Sequence, residues 1–246
     1  MATSNIIMSD FNFHQTQLFK NLWNNDYGYT ADARPISGLC LIHYLIRYFK
    51  SSSILEIGYK EGTTFMAMIE ASAEDACLTA VDISLDMTHY EKHYHHHIKN
   101  KQVSLVETPS QLFMAEGIYD FVNIDGNHSY PQTLIDIAVI KDHIDKNTIL
   151  MIDDYFWDDV DIAIEDFIKL ELGFVPFLIN SPAIFFHHET HDAAKFLDEI
   201  LPTYFYDLAT QHNVQYKDHT TSVLEFWPSI KSDTKMFSLI CKRLTM

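Results

Sequence analysis

Short apolar runs punctuate the first 155 residues, and each closes on an acidic residue or a glycine turn. They are Ile54-Leu55-Glu56-Ile57-Gly58, Leu78-Thr79-Ala80-Val81-Asp82, Phe121-Val122-Asn123-Ile124-Asp125 and Ile149-Leu150-Met151-Ile152-Asp153-Asp154. The stretches between them space their apolar residues at a helical period. Short buried strands alternating with helices predict an α/β fold, a mostly parallel sheet covered on both faces. Ligands of such sheets bind at the carboxyl ends of the strands. Acidic residues repeated there point to one site assembled from several strand tips.

The pattern can be followed element by element. Pro35 opens a helix reaching about Phe49, and Ser51-Ser52-Ser53 breaks it before the first strand. Helices follow over Thr63 to about Ala73 and near Leu85–Ile98, with a strand at Val103–Glu107. Tyr119–Asp125 and Thr148–Asp153 are the fourth and fifth strands. Between them Pro131 suits a first helical turn, and Leu134, Ile135, Ala138 and Val139 supply an apolar stripe. Val160, Ile164, Phe167 and Ile168 mark the next helix, which stops at Gly173. Then Phe174–Ile179 and Ala183–His187 flank Asn180-Ser181-Pro182 as an antiparallel hairpin, bringing the sheet to seven strands. Residues 190–246 read as a helix (Asp192–Leu208), a polar loop and the apolar run Met236–Cys241. The expected division is an N-terminal helical cap over 1–50, a ligand-binding domain over 51–190 and a C-terminal extension over 191–246.

Charge and cysteine usage narrow the function. A formal charge of −17 over 246 residues excludes a protein that neutralises nucleic-acid phosphates, and disfavours docking on anionic lipid. Cys40, Cys77 and Cys241 are widely separated, which suits a reducing cytosol and offers neither a disulfide framework nor a zinc cluster. Met1–Phe19 shows no basic residue ahead of an apolar stretch, and the helix Leu39–Phe49 is too short to span a bilayer. The expectation is a soluble, cytoplasmic protein.

The turn Glu56-Ile57-Gly58-Tyr59-Lys60-Glu61-Gly62-Thr63-Thr64 joins strand to helix. Its glycines let backbone approach a ligand, and the helix N-terminus offers N–H donors to an anionic group. Asp82, at the end of the second strand, stands where a carboxylate grips the hydroxyls of a ribose. A missing third glycine disfavours a dinucleotide.

These residues resemble the class I S-adenosylmethionine-dependent methyltransferases, over about residues 30–190. The Glu-x-Gly-x-x-x-Gly spacing is similar to that of catechol O-methyltransferase and of small natural-product O-methyltransferases of the macrocin type, with a Rossmann-like sheet ending in an antiparallel hairpin. The resemblance implies that Gly58 and Thr64 sit beside the methionine part of the cofactor, with Glu56 beneath the loop and Gly62 among the cofactor-binding residues. It implies Asp82 at the ribose and Ser110-Gln111 at the adenine. Tyr59-Lys60-Glu61 departs from the small or apolar residues usual there. Asp125-Gly126-Asn127-His128-Ser129-Tyr130 looks like the Asp-Gly-x-His-x-Tyr signature of a bacterial group, and Asp153-Asp154 resembles the acidic pair of metal-dependent relatives. On that likeness Asp125, Asp153 and Asp154 form a hard-oxygen site suited to Mg²⁺, Asp125 also borders the cofactor, and His128 takes a proton from a substrate hydroxyl. In the catechol enzyme a lysine stands at that position.

Other readings stay open. Asp153 and Asp154 would serve equally as helix caps with Asp158 and Asp159. His89, His93 and His97 fall four apart with His95 and His96 alongside, a solvated helix face more than a metal site. His187, His188 and His191 read as rim residues, and Tyr204, Phe205, Tyr206, Phe226 and Trp227 as a lid, core or homo-oligomer contact. The expected activity is O-methylation of a small molecule, natural product or sugar, assisted by a divalent metal. Its rivals are a metal-independent N-methyltransferase and a non-catalytic binding protein on the same fold.

Overall fold

The computed structural model describes residues 36–95, 100–180, 182–191, 196–200 and 209–226. Helix α1 (Ile36–Phe49) leads into β1 (Ser53–Ile57), α2 (Thr63–Ala71), β2 (Cys77–Asp82), α3 (Thr88–His93) and β3 (Gln102–Glu107). The chain continues through β4 (Phe121–Ile124), α4 (Tyr130–Ile140), β5 (Ile149–Ile152) and α5 (Asp158–Lys169). Two hairpin pairs follow, β6 (Phe174–Asn180) with β7 (Ala183–His188), and β8 (Ala209–Tyr216) with β9 (His219–Phe226).

All nine described strands join one sheet in the order β3-β2-β1-β4-β5-β7-β6-β9-β8. The five strands from β3 to β5 run parallel, and β7 returns antiparallel beside β5. Chain order reverses between β1 and β4, so a crevice opens at their carboxyl ends. Successive residues of each strand face opposite sides. Ile54, Leu78, Phe121 and Met151 pack with α1 and α2 on one side, and Leu55, Val81, Val122 and Leu150 with α4 and α5 on the other. A strand buried on both faces needs a continuous apolar run, and that is why these runs stand out in the sequence.

Three expectations change. Among the described residues the sheet has nine strands rather than seven, because residues 209–226, read as a polar loop, form the hairpin β8–β9. Its turn, Lys217-Asp218, has both φ angles positive, 47° and 67°, the backbone of a two-residue hairpin turn without the usual Asn-Gly. The hairpin docks by β9 on β6, pairing Leu178 with Ser222 and Ile179 with Val223, while Asn180 Nδ2 donates to the Leu224 carbonyl at 2.9 Å. Lys217 Nζ reaches Asp161 and Glu165 of α5 at 2.7 and 2.8 Å.

The buried face of α4 is Thr133, Asp136, Ile137 and Ile140 rather than the stripe Leu134, Ile135, Ala138 and Val139. Two polar residues are accepted inward because both are hydrogen-bonded: Thr133 Oγ1 to the Ser129 carbonyl at 3.1 Å, and Asp136 to Ser110 and Gln132.

Helix α3 is one short turn-and-a-half, Thr88–His93, against the expected Leu85–Ile98. The imidazoles of His89, His93, His96 and His97 lie outside the described residues. So do residues 1–35 of the N-terminal cap, most of the expected helix Asp192–Leu208, the aromatics Tyr204–Tyr206 and Trp227, the side chain of Phe226, Cys241 and the run Met236–Cys241; only Phe196–Ile200, a π-helical turn, is described there. No described helix is long and apolar enough to cross a membrane.

Candidate active site

One residue beyond each strand, the ladder hydrogen bonds continue. Gly58 N–H donates to Val81, Asp125 N–H to Ile57 and Asp153 N–H to Ile124, at 2.8, 2.7 and 2.9 Å. These bonds set Gly58, Asp125 and Asp153 side by side at the carboxyl edge. Gly58 has φ 99°, and a Cβ there would meet the Asp125 carbonyl oxygen at 1.9 Å. Only glycine lets the β1 turn pass so close to the β4 tip.

The turn is held from both ends. Lys60, at φ 49°, donates its N–H to Asp82 Oδ2 at 2.8 Å, and Ser84 N–H reaches the other oxygen of Asp82 at 3.1 Å. Each carboxylate oxygen keeps a second lone-pair direction for a ligand hydroxyl. Tyr59 turns inward. It is 3% exposed, lies edge-on to Phe65, and its ring fills the space a side chain at Gly62 would need. The unusual residue at that turn is therefore a plug in the core. Gly62 caps α2 at φ 75° with no side-chain cap, and Thr63 and Thr64, whose first-turn N–H groups have no partner within an α-helix, line the pocket. Below, Glu56 is buried and accepts from Asn123 Nδ2 at 2.9 Å, a cross-strand pair of β1 and β4.

At the other end of the same cavity, of about 470 Å³, stand His128, Asp125, Asp153, Asp154 and Trp157. His128 lies between two carboxylates: Nε2 is 3.6 Å from Asp125 Oδ1, and Nδ1 is 3.1 Å from Asp154 Oδ2. The contact with Asp125 and the charges of Asp154 and Asp153 hold the imidazolium above the ordinary histidine pKa, against the opposing effect of partial burial. The indole of Trp157, 50% exposed, meets the imidazole edge-on at 5.4 Å. Asp154 does not cap α5, whose N-cap is Trp157 with no side-chain bond. Its carboxylate goes to His128 instead. Tyr130 is structural: its hydroxyl donates to Asp166 at 2.7 Å and its N–H to Asp159 at 3.1 Å, tying α4 to α5.

Asp125, Asp153 and Asp154 are hard-oxygen donors of the type a divalent cation takes. Among the described residues, however, no three histidine, cysteine or acidic side chains converge on one point as a metal site requires.

A second cavity, about 450 Å³, continues from Gly58 and Asp82 past Gly126 to Ser110 and Gln111. Ser110 Oγ donates to Asp136 and accepts from Gln132 Nε2 at 2.8 Å. The expected residues Glu56, Gly58, Gly62, Thr64, Asp82, Ser110, Gln111 and Asp125 thus line two adjoining cavities. Asn123, Gln132, Asp136 and Trp157 were not anticipated. A carboxylate among the apolar residues of α4 was the signal for Asp136.

Comparison with known proteins converges on the same segment. Residues 55–155 match a family model described as a methyltransferase domain. Sequence comparison with curated proteins finds no match. Among solved structures, the chain resembles the Podospora anserina methyltransferase PaMTH1 bound to SAH, with a TM-score of 0.59 and 16% identity over 70% of this chain and 88% of that one. The Bacillus cereus O-methyltransferase in complex with SAH gives 0.52 and 13%, over 69% and 87%. CalS11, a TDP-rhamnose 3'-O-methyltransferase of calicheamicin biosynthesis, gives 0.51 and 15%, over 75% and 92%. The site from Glu56 to Asp154 thus lies in the segment that matches the methyltransferase-domain model, and the sheet around it shares the fold of these solved methyltransferases.

Proposed function

We propose that this protein transfers the methyl group of S-adenosylmethionine to a hydroxyl of a small molecule. The observation that carries the reading is the continuity of one cavity from the Gly58–Thr64 turn to His128. A cofactor anchored at the first and an acceptor held at the second would meet within it. Bound S-adenosylmethionine supplies an electrophilic methyl, and the protein's work is positioning, water exclusion and removal of one proton.

The geometry supports a role for each residue. The first-turn N–H groups of α2 suit the amino-acid carboxylate of the cofactor, and Asp82 suits the ribose hydroxyls. Nδ1 of His128 donates to Asp154, which leaves the lone pair of the neutral ring on Nε2, beside Asp125. Nε2 is buried and, among the described residues, has no hydrogen-bond partner; on this reading it is the atom that accepts the acceptor's proton. Asp125 and Asp154 then stabilise the imidazolium formed.

Metal assistance belongs to this reading as its finer part. Asp125, Asp153 and Asp154 are the residues that would hold Mg²⁺, which would lower the pKa of the acceptor hydroxyl. Because they do not converge on one point, proton removal is assigned here to His128. The acceptor is read as a natural product or sugar and the setting as cytoplasmic, supported by the acidic charge and the absence of a cysteine pair motif.

The test is calorimetric titration with S-adenosylmethionine, with Mg²⁺ or EDTA, followed by methyl-transfer assays on hydroxyl and amine acceptors. Binding with transfer to hydroxyls supports the reading, and absence of cofactor binding overturns it. Transfer that survives EDTA supports removal of the proton by His128 alone. Loss in EDTA, restored by Mg²⁺, supports the metal-assisted form.

A further inference from the structure

We infer that Asp136, carried into the wall of the second cavity by α4, is the acceptor that reads the exocyclic amino group of the cofactor's adenine. The inference rests on the S-adenosylmethionine reading above.

Asp136 is 1% exposed. Its Oδ1 accepts from the Ser110 hydroxyl and from Gln132 Nε2, the latter at 2.9 Å. Among the described residues no donor reaches Oδ2. That oxygen lies 3.0 Å from where a Cβ on Gly126 would stand, so the lack of a side chain at Gly126 keeps it open. The cavity it borders also contains Asp82, at the expected ribose position, and the Ser110-Gln111 pair. A buried carboxylate oxygen without a donor is costly, and burial already pushes this carboxyl's pKa upward. A donor brought by the ligand would complete the set.

Ser110 has no proton left to donate to the base. Its single proton is given to Asp136, and it takes Gln132's amide besides. It is the strut that orients the carboxylate. A carboxylate only accepts, so it selects an amino group and rejects a carbonyl oxygen at the same position.

The probe pair is S-adenosylhomocysteine and S-inosylhomocysteine, which differ in having an amino group or an oxygen on carbon 6 of the base. Calorimetry at pH 8 should show wild-type protein preferring the adenosyl compound by about tenfold or more, the scale of a charge-assisted hydrogen bond and its loss. Asp136→Asn, which carries a donor of its own, should narrow the preference to about threefold or reverse it. Ser110→Ala, which removes the strut, should also narrow it. Equal binding of the two compounds by wild-type protein overturns the inference even if neither variant folds. So does an Asp136→Asn protein that keeps the full preference. Failure of wild-type protein to bind S-adenosylhomocysteine at all instead overturns the cofactor reading, and this inference with it.

Discussion

Nδ1 of His128 lies 3.1 Å from Oδ2 of Asp154, across the gap between the β4 and β5 tips. Asp154 makes the reach from a left-handed backbone, φ 50°, a conformation aspartate tolerates better than most residues. As a general base His128 must be neutral, so turnover should rise with pH through a pKa above the ordinary 6.5. Asp125→Asn and Asp154→Asn should each move that limb to lower pH by removing a carboxylate that favours the imidazolium. His128→Ala should lower kcat about 10²–10⁴-fold with cofactor affinity nearly unchanged. A pH–rate profile whose acid limb ignores both aspartate variants would sink the assignment.

Gly58→Ala tests the close approach of the β1 turn to the β4 tip. Left-handed strain and the 1.9 Å overlap with the Asp125 carbonyl should together cost about 2 kcal/mol or more. Urea denaturation reads the loss, and cofactor affinity should fall with it because Asp125 must move. A variant as stable as wild type would show that the turn has room this geometry denies.

Asp82 serves two masters, the Lys60 and Ser84 N–H groups and the proposed ribose. Asp82→Asn keeps one acceptor oxygen for the turn but loses the charge, so S-adenosylmethionine binding should weaken by about 1–3 kcal/mol. Calorimetry on folded variant protein measures this. Unchanged affinity removes the ribose role.

His43 on α1 is buried, and desolvation, reinforced by Arg47 and Lys101, lowers its pKa to about 3. The unfolded chain takes up this proton near 6.5 while the folded chain does not. Its neutral form therefore supports the fold fully above pH 6.5, and that support is lost as pH falls toward 3, by about 1.4 kcal/mol per unit. Stability from urea titrations at pH 7.5, 6 and 5 should decline, and His43→Met should flatten the decline. An equal slope in the variant would place the acid sensitivity elsewhere.

What the sequence made legible follows the physics of burial. Strands β1, β2, β4 and β5 are apolar on both faces, so Ile54–Ile57 and Ile149–Ile152 announce themselves without any neighbour. Residues at strand tips, Gly58, Asp82, Asp125 and Asp153, were legible because the ends of apolar runs mark the sheet edge. Other features depend on contacts far apart in the chain. Asp136 is a core residue through Gln132, one turn back, and through Ser110, 26 positions away, and no local period reports the second. Strand β8 is polar on its open face, and its Lys217-Asp218 turn lacks glycine, so the hairpin read as a loop. Tyr59 departs from the residues usual at that turn, and its inward orientation depends on the empty site at Gly62, which no local pattern reports.

The attachment of β9 to β6 also decides where copies of this chain can meet. Without residues 209–226 the sheet would end at β6, whose apolar run Phe177-Leu178-Ile179 is a template for pairing with another strand. The parallel register of Leu178 with Ser222 and Ile179 with Val223 occupies that rim from within the same molecule. Among the described residues the outermost strand becomes β8, where Gln211, Asn213 and Gln215 are exposed, a polar border that rewards water over a second sheet. A second copy that extended the sheet at this end would therefore have to pair with β8 and not with the apolar run of β6.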